Sequence, residues 1–598
     1  MTDMSLGLAA LRKAYAAGQD PVSVIDEVYA RIAAAEDPGI FITLVPKEQA
    51  RAAASALGAF DASKPLWGVP FAVKDNIDVA GLPTTAACPA FAYEPAQSAF
   101  AVQALLDAGA ICVGKTNLDQ FATGLVGVRT PYPVPRNSFD AKIPPGGSSS
   151  GSGVAVAREL VSFALGTDTA GSGRVPAALN NIVGLKPSVG AVSISGLVPA
   201  CKTIDCISIF AQSVDDAWTA YRIMAAKDAS DAFQRFLPLD AAPGEAAPKL
   251  RVGVPRREDL VFFDDRAAES AWERQCELLK AQGALLSEVD MRPFLAAAQL
   301  LYEGPWVAER HAAMRAFMAT NLADVLPVTR GIVEGALKFS ATDAFDARYR
   351  MTALAHETAP VWGRIDMLAL PTIPCTPTVS DLQADPITPN SRLGRWTNFV
   401  NLLDLCALAV PGPFRKDGLP AGVTLVGPRG TDARLAAFGR KLHEAAEVPV
   451  GATAKVLPKG MPAGGATADE IEIVVVGAHL SGMALNHELA SLNARFLRAV
   501  ETEPSYRLHA LAGGPPRRPG LLRVPDGTGV AITTEVWAMT PAGFGRFVAG
   551  IPAPLGIGTL KLADGTRPKG FLVEPEGLVG SEDISRHGGW RAYIASLA

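Results

Sequence analysis

The chain opens on two stretches with apolar residues at helical spacing. LGLAALRKAYAAG closes on a glycine of the kind that ends helices, and DPVSVIDEVYARIAAAED carries a proline at its start. The pattern then turns extended. WGVPFAVKDNIDVAGLPTT is turn-rich, with period-two alternation in FAVKDNIDV. SAFAVQALLDAGAICVGKTNLDQF predicts a helix, a short strand and a loop. This alternation continues to residue 215 and predicts an α/β sheet. Residues 216–235 and 264–365 read as mainly helical, and DMLALPTIP as a strand. PAGVTLVGPRGTDARLAAFGRKLHEAA reads as strand, turn and helix ending near Glu447.

The pattern changes after Glu447. Residues 448–468 hold four glycines, three prolines and few large apolar groups, which predicts a linker. IEIVVVGAHLSGMALNHEL then predicts a strand running into a turn and a helix, and GTGVAITTEVWAMT a further strand-and-turn segment. The expected organisation is an α/β domain over 1–447, a linker over 448–468 and a smaller α+β domain over 469–598, with no internal repeat.

Composition narrows the function classes. With 49% apolar and 19% charged residues the chain has material for a large core, and disorder is excluded. A formal net charge of −5 and the lack of a basic stripe argue against a nucleic-acid partner. No run of 18 apolar residues suggests a membrane span. The start, MTDMSLGLAALRKAYAAGQD, has no basic stretch leading into an apolar one, so a soluble cytoplasmic protein is expected. The seven cysteines, including the pair in CKTIDC, read as buried free thiols. Seven histidines without HExxH or metal spacing predict no metal and no cofactor.

Two small-residue segments carry the candidate chemistry. PPGGSSSGSG spans 144–153 and GTDTAGSGRVP spans 166–176. A flexible linker would separate domains, but apolar, structured sequence flanks the first segment on both sides. Glycine and serine inside a core let backbone approach a ligand closely. A serine closing such a turn can act as a nucleophile beside its own backbone N–H donors. A phosphate-binding turn is the competing reading, weakened because neither Walker A nor GxGxxG is present. A serine nucleophile needs a base, and residues 1–250 contain no histidine. Lys74, in the apolar setting PFAVKDN, is the alternative, because burial disfavours its charged form. On its own it would read as a salt-bridged or snorkelling lysine.

Lys74, GGSSSGS and GTDTAGSGRVPAA, in that order, resemble the amidase signature family over about residues 5–447. The resemblance implies a mixed central sheet flanked by helices and a Ser–cis-Ser–Lys triad. By position it implies Ser172 as nucleophile, Ser148 as bridging serine after a cis peptide from Gly147, and Lys74 as base. It also implies an oxyanion hole from the backbone of Thr169, Ala170, Gly171 and Ser172, with Asp168 and Arg174 supporting the loop. Ser150 and Ala170 depart from the glycines usual in the family, without removing a triad side chain or a backbone donor.

Substrate choice must come from elsewhere. QLLYEGPWVAERHAAMRA at 299–316 reads as helical, which puts Tyr302 and Arg310 near one face. YEGPWVAER resembles the segment with which allophanate hydrolases of the family hold a substrate carboxylate, and Gly124 matches a loop contacting the substrate amide. The C-terminal segments resemble the extra domain of those enzymes, which is similar to gamma-glutamyl cyclotransferases. His479 matches a histidine of that domain's first turn, and Glu535 is a weaker candidate there. The resemblance implies allophanate as a small-molecule substrate, a homodimer, and a functional link to a urea carboxylase or biuret hydrolase. Competing readings are a biuret or malonamide hydrolase, a transamidating enzyme of charged transfer RNA, and a catalytically inactive assembly protein.

Overall fold

The structure, a computed structural model, describes residues 4–237, 239, 243–460 and 465–597. One sheet carries the larger unit. Its strands are β1 (Phe41–Leu44), β2 (Pro70–Lys74), β3 (Ile111–Thr116), β4 (Phe163–Asp168), β5 (Val183–Lys186), β6 (Cys206–Ala211), β7 (Arg251–Pro255), β8 (Leu285–Val289), β9 (Met367–Pro371), β10 (Leu405–Gly412) and β11 (Ala421–Pro428). Their order is β1-β3-β2-β4-β6-β5-β10-β11-β9-β7-β8. The sheet is mixed. β2 runs parallel to β3 and β4, the middle from β4 to β9 pairs antiparallel, and β9, β7 and β8 are parallel again.

Every residue of β2, β4, β5, β6 and β10 is buried, which explains their nearly continuous apolar sequence. Helix Ser150–Ala157 packs on β2 and β4, helix Val214–Met224 on β5 and β6, and helix Asp432–Ala445 on β10 and β11. The alternation in FAVKDNIDV therefore does not mark a solvent face. The strand stops at Lys74, and Asp75 turns into a buried ion pair with Lys115 at 3.2 Å.

Two sequence expectations fail locally. The helical reading of 264–365 misses β8, an edge strand whose side chains are mostly exposed and which therefore lacks an apolar run. The helix expected over 216–235 ends at Met224.

The smaller unit contains β12 (Ile471–Val475), β13 (Arg495–Glu501), β14 (Tyr506–Ala510), β15 (Pro519–Arg523), β16 (Thr533–Met539), β17 (Leu555–Thr559), β18 (Lys569–Val573) and β19 (Glu582–Asp583). They form a sheet β13-β16-β12-β18-β17 and a smaller one β15-β14-β19. Helices Asn486–Ser491, Pro541–Ala549 and Trp590–Ala595 complete it. Among the described residues, no helix is long and apolar enough to cross a membrane.

The first part of the segment expected as a linker is docked. Asn181 Nδ2 donates to the carbonyls of Pro449 (2.8 Å) and Gly451 (2.9 Å), and Ala452 N–H donates to Ala157 (2.8 Å). Lys455 Nζ reaches Glu159 at 2.6 Å and the Met4 carbonyl at 2.8 Å, while Glu159 also pairs with Arg31 at 3.0 Å. Val448 and Val450 are buried alongside these bonds, but the specific ties are polar and reach residues far off in the chain, which composition alone cannot reveal. A chain ending at residue 460 is expected to melt at a higher temperature than one ending at 447. Asn181→Ala in the longer chain should lose about 1–3 kcal/mol, because the buried Gly451 carbonyl and the part-buried Pro449 carbonyl lose their donor. Equal melting temperatures for all three would show that the clasp contributes nothing.

Candidate active site

Lys74 is the last residue of β2, and pairing of Val73 with Leu165 sets it level with the C-terminal end of β4. Its Nζ donates to Ser148 Oγ and Thr167 Oγ1, each at 2.7 Å, and the side chain is 0% exposed. Burial drives its pKa down from 10.5 to about 7; the carboxylates of Asp119, Asp205 and Asp168 oppose this, and Arg310 reinforces it. The amine is therefore poised to exchange a proton near neutral pH. Thr167, its second partner, escaped the sequence reading although it lies within GTDTAGSG.

Ser148 is fully buried, and the Gly147–Ser148 peptide is cis. A Cβ at Gly147 would lie 2.0 Å from the Asp119 carboxylate, so only glycine fits there. Asp119 N–H donates to the Ser148 carbonyl at 3.0 Å. Its carboxylate accepts from the N–H groups of Val126 (3.1 Å), Gly127 (2.9 Å) and Arg129 (2.9 Å), which bends the loop that carries Gly124. Ser150 is accommodated at the start of its helix, with its hydroxyl donating to the Asn117 carbonyl at 3.3 Å.

Ser172 lies in the turn that leaves β4 and is 3% exposed. Its hydroxyl donates to the Gly124 carbonyl at 3.4 Å, and among the described residues it makes no bond to Ser148. The turn is shaped by Asp168. Both carboxylate oxygens pair with Arg174 at 2.8 Å, and they also accept from Gly171 N–H (2.9 Å) and Gly173 N–H (3.1 Å). Burial pushes the Asp168 pKa up, but Arg174, Lys186 and Gly173 N–H outweigh it and hold the carboxyl below its usual value. Gly171 has φ +130°, and a Cβ there would meet Thr397 Oγ1 at 2.3 Å. Thr397 donates to the Ala170 carbonyl (2.6 Å), and Asn401 Nδ2 bridges the carbonyls of Asp168 (2.7 Å) and Ile204 (2.8 Å).

This wiring corrects one expectation. The N–H of Gly171 is spent on Asp168, so it is not a free donor for an oxyanion. Among the described residues, the N–H groups of Thr169, Ala170 and Ser172 have no protein acceptor, and these remain available.

A second correction concerns Tyr302 and Arg310, which do not share a helix. Helix Arg292–Gln299 ends before Tyr302, and helix Val307–Asn321 begins after it. Gly304-Pro305 accounts for the break, because proline disfavours helical backbone before it and lacks an N–H. The turn still folds Tyr302 onto Arg310: the hydroxyl accepts from Arg310 at 3.4 Å, and the guanidinium lies 5.6 Å from the ring centroid. Arg310 is 2% exposed and also donates to Thr123 Oγ1 (3.0 Å) and the Ala122 carbonyl (3.2 Å), in the loop that leads to Gly124. The fold thus gathers Lys74, Ser148, Ser172, Gly124, Arg310 and Tyr302 around one centre. Cys201, Ile204 and Leu301 pack with Ala170 as its apolar wall.

His479 lies apart, in the smaller unit. It lines a cavity of about 70 Å³ with Glu488, Arg518, Phe547 and Phe571. Its Nε2 meets Glu488 at 2.9 Å, and its ring stacks on Phe571 at 5.3 Å. Burial lowers its pKa, partly offset by Glu488. Glu535 is not in this cavity lining. It is fully buried and occupied by Ser481 N–H (2.8 Å), Ser481 Oγ (2.6 Å), Trp537 Nε1 (3.1 Å) and Arg591 (2.5 Å).

The mixed sheet with a buried lysine and serines at its centre defines an amidase, and the chain belongs to that family: residues 23–436 match the family model Amidase. Residues 471–595 match the Allophanate hydrolase C-terminal domain. Urea amidolyases of Lachancea kluyveri and Saccharomyces cerevisiae are each 44% identical over 550 residues, covering 89% of this chain. The chain spans only 30% of the length of those two relatives. The solved structure of Kluyveromyces lactis allophanate hydrolase aligns over 99% of both chains, with 39% identity and a TM-score of 0.76.

Asp168→Asn is expected to destabilise the protein by about 3–5 kcal/mol, because it leaves the buried Arg174 without its counter-charge. Chemical denaturation measures this, and a loss below about 1 kcal/mol would contradict the role given to the pair.

Proposed function

We propose that this chain is an allophanate hydrolase. The observation that carries the reading is the placement of Arg310 and Tyr302 beside the Lys74–Ser148–Ser172 group: a carboxylate-binding cation stands next to a buried amine and two hydroxyls. The match of residues 471–595 and the aligned K. lactis structure support it.

In this reading Arg310 grips the carboxylate of allophanate through charge-assisted bonds and Tyr302 adds a hydrogen bond. Gly124 backbone contacts the terminal amide. The Ser172 hydroxyl turns from the Gly124 carbonyl toward Ser148 and attacks the terminal amide carbon. Its proton passes to Ser148, whose own proton passes to neutral Lys74. The N–H groups of Thr169, Ala170 and Ser172 receive the developing oxyanion, each worth on the order of 3 kcal/mol. Collapse breaks the C–N bond, and ammonia leaves with the proton returned through Ser148. Water then attacks the acyl-enzyme by the same relay and releases N-carboxycarbamate, which loses carbon dioxide to give carbamate, and carbamate breaks down to a second carbon dioxide and a second ammonia.

We assign His479 to assisting that decarboxylation, supported by its place in a partly open, part-apolar cavity beside Glu488 and Arg518. Carboxylation of urea, or hydrolysis of biuret, would supply the substrate, and the relation to urea amidolyases favours the former. The exposed Leu337, Phe345 and Tyr349 support a homodimer, read as twice the chain mass in light scattering.

The direct test is ammonia release from allophanate beside biuret and malonamate. Preference for either control would replace the reading. Ser172→Ala should abolish release while leaving the circular dichroism spectrum unchanged. Because Lys74 must be neutral to accept a proton, kcat/KM should rise with pH through about 7 and be lost below it. A flat profile between pH 5 and 9 would contradict the lysine base.

Arg310→Leu should raise KM for allophanate roughly ten- to hundredfold, from loss of about 1.5–3 kcal/mol of charge-assisted binding. A neutral amide should be much less affected. Equal losses on both substrates would make Arg310 structural.

A further inference from the structure

Asp205 stands immediately before β6 and is 3% exposed, among the groups that surround the site. Among the described residues no cation pairs with it directly. Its carboxylate instead accepts from Thr169 Oγ1 at 2.5 Å, from Ala200 N–H at 2.8 Å and from Cys201 N–H at 3.1 Å. Thr169 carries one of the free N–H groups of the turn. Cys201 belongs to the apolar cluster of Ala170, the next residue of that turn, and Tyr302, the partner of Arg310, packs against that cluster. Asn401 ties the Ile204 carbonyl, just before Asp205, to the Asp168 carbonyl, so the Asp205 turn and the turn after β4 are clamped together. One carboxylate therefore touches the donor turn and supports the wall of the substrate clamp.

It also acts at a distance. The charges that bear on Lys74 are Asp119, Asp205, Asp168 and Arg310. Asp119 is engaged by three backbone N–H groups, and Asp168 is neutralised by Arg174. Asp205 alone of the three combines a direct bond to the donor turn with a carboxyl that, among the described residues, no ion pair cancels; burial raises its pKa, and the bonds from Thr169, Cys201 and Ala200 together with the Arg310 charge act to keep it ionised.

We propose that Asp205 is a positioning residue: its carboxylate orients the Thr169 donor and supplies a negative charge that helps set the protonation of Lys74. The inference rests on the proposed reaction, since Lys74 must act as base for the second part to matter. It names two separable effects, one geometric and one electrostatic.

Asp205→Asn can keep one oxygen where Oδ2 accepts from both Ala200 N–H and Cys201 N–H, turns an NH2 donor toward Thr169 Oγ1, and removes the charge. Removing an anion that favours protonated Lys74 lowers the lysine pKa. The acid limb of kcat/KM should move to lower pH by about half a unit or more, and kcat should fall about tenfold or more because the Thr169 bond changes character. Thr169→Val keeps the charge and removes the bond, so kcat should fall with the limb unmoved. The same limb can be read without allophanate, from the pH dependence of Ser172 acylation by a fluorophosphonate probe followed by mass spectrometry. If wild-type protein reacts with the probe but not with allophanate, the proposed substrate fails while the Asp205 test still stands. An acid limb unmoved in Asp205→Asn overturns the electrostatic role, and wild-type kcat in Thr169→Val overturns the geometric one.

Discussion

A primary amine fully buried from solvent organises this protein. Lys74 ends a strand that is buried along its whole length, and its Nζ is satisfied by two hydroxyls rather than by a carboxylate. A direct ion pair would have locked it as a cation. Hydroxyl partners leave burial free to weaken the charged form, while three carboxylates farther off keep it from being lost altogether. The parallel pairing of β2 with β4 makes this possible, since it sets the C-terminal ends of the two strands side by side, where Lys74 reaches Thr167.

The remaining polar groups of the site follow from the same need to satisfy buried donors and acceptors. Asp119 and Asp168 each absorb several N–H groups, and each thereby bends a loop, one carrying Gly124 and the other Ser172. The glycines at 147 and 171 stand where a side chain would collide with Asp119 or Thr397. Their occurrence in the sequence is thus a record of close backbone packing, not of flexibility. The segment that composition marks as a linker at 448–468 illustrates the converse: its first part is held by Asn181, Glu159 and backbone bonds, none of which requires apolar residues.

The two units differ in how they enclose chemistry. In the larger one the reactive groups lie within the core of an extended sheet, all but excluded from solvent. In the smaller one His479 sits in a cavity between aromatic rings, with a carboxylate and an arginine at hand. In the first, Lys74 and Ser148 are hydrogen-bonded to each other, while the Ser172 hydroxyl rests on the Gly124 carbonyl.

What the sequence determined by itself was what depends on local pattern: the two leading helices, the helix–strand alternation, the small-residue turns at 144–153 and 166–176, and the lysine in an apolar strand. Those signals survive because each is set by neighbours along the chain. Only the tertiary structure decided the rest. It brought Tyr302 to Arg310 across a Gly-Pro break rather than along a helix, spent the Gly171 N–H on Asp168, and revealed Thr167, Asp119 and Asp205 as partners of the site. β8 was missed because an exposed edge strand needs no apolar run. The physical reason is common to all of these: a hydrogen bond or charge inside a core is decided by which groups folding brings together in space, and composition and periodicity hold no measure of that distance.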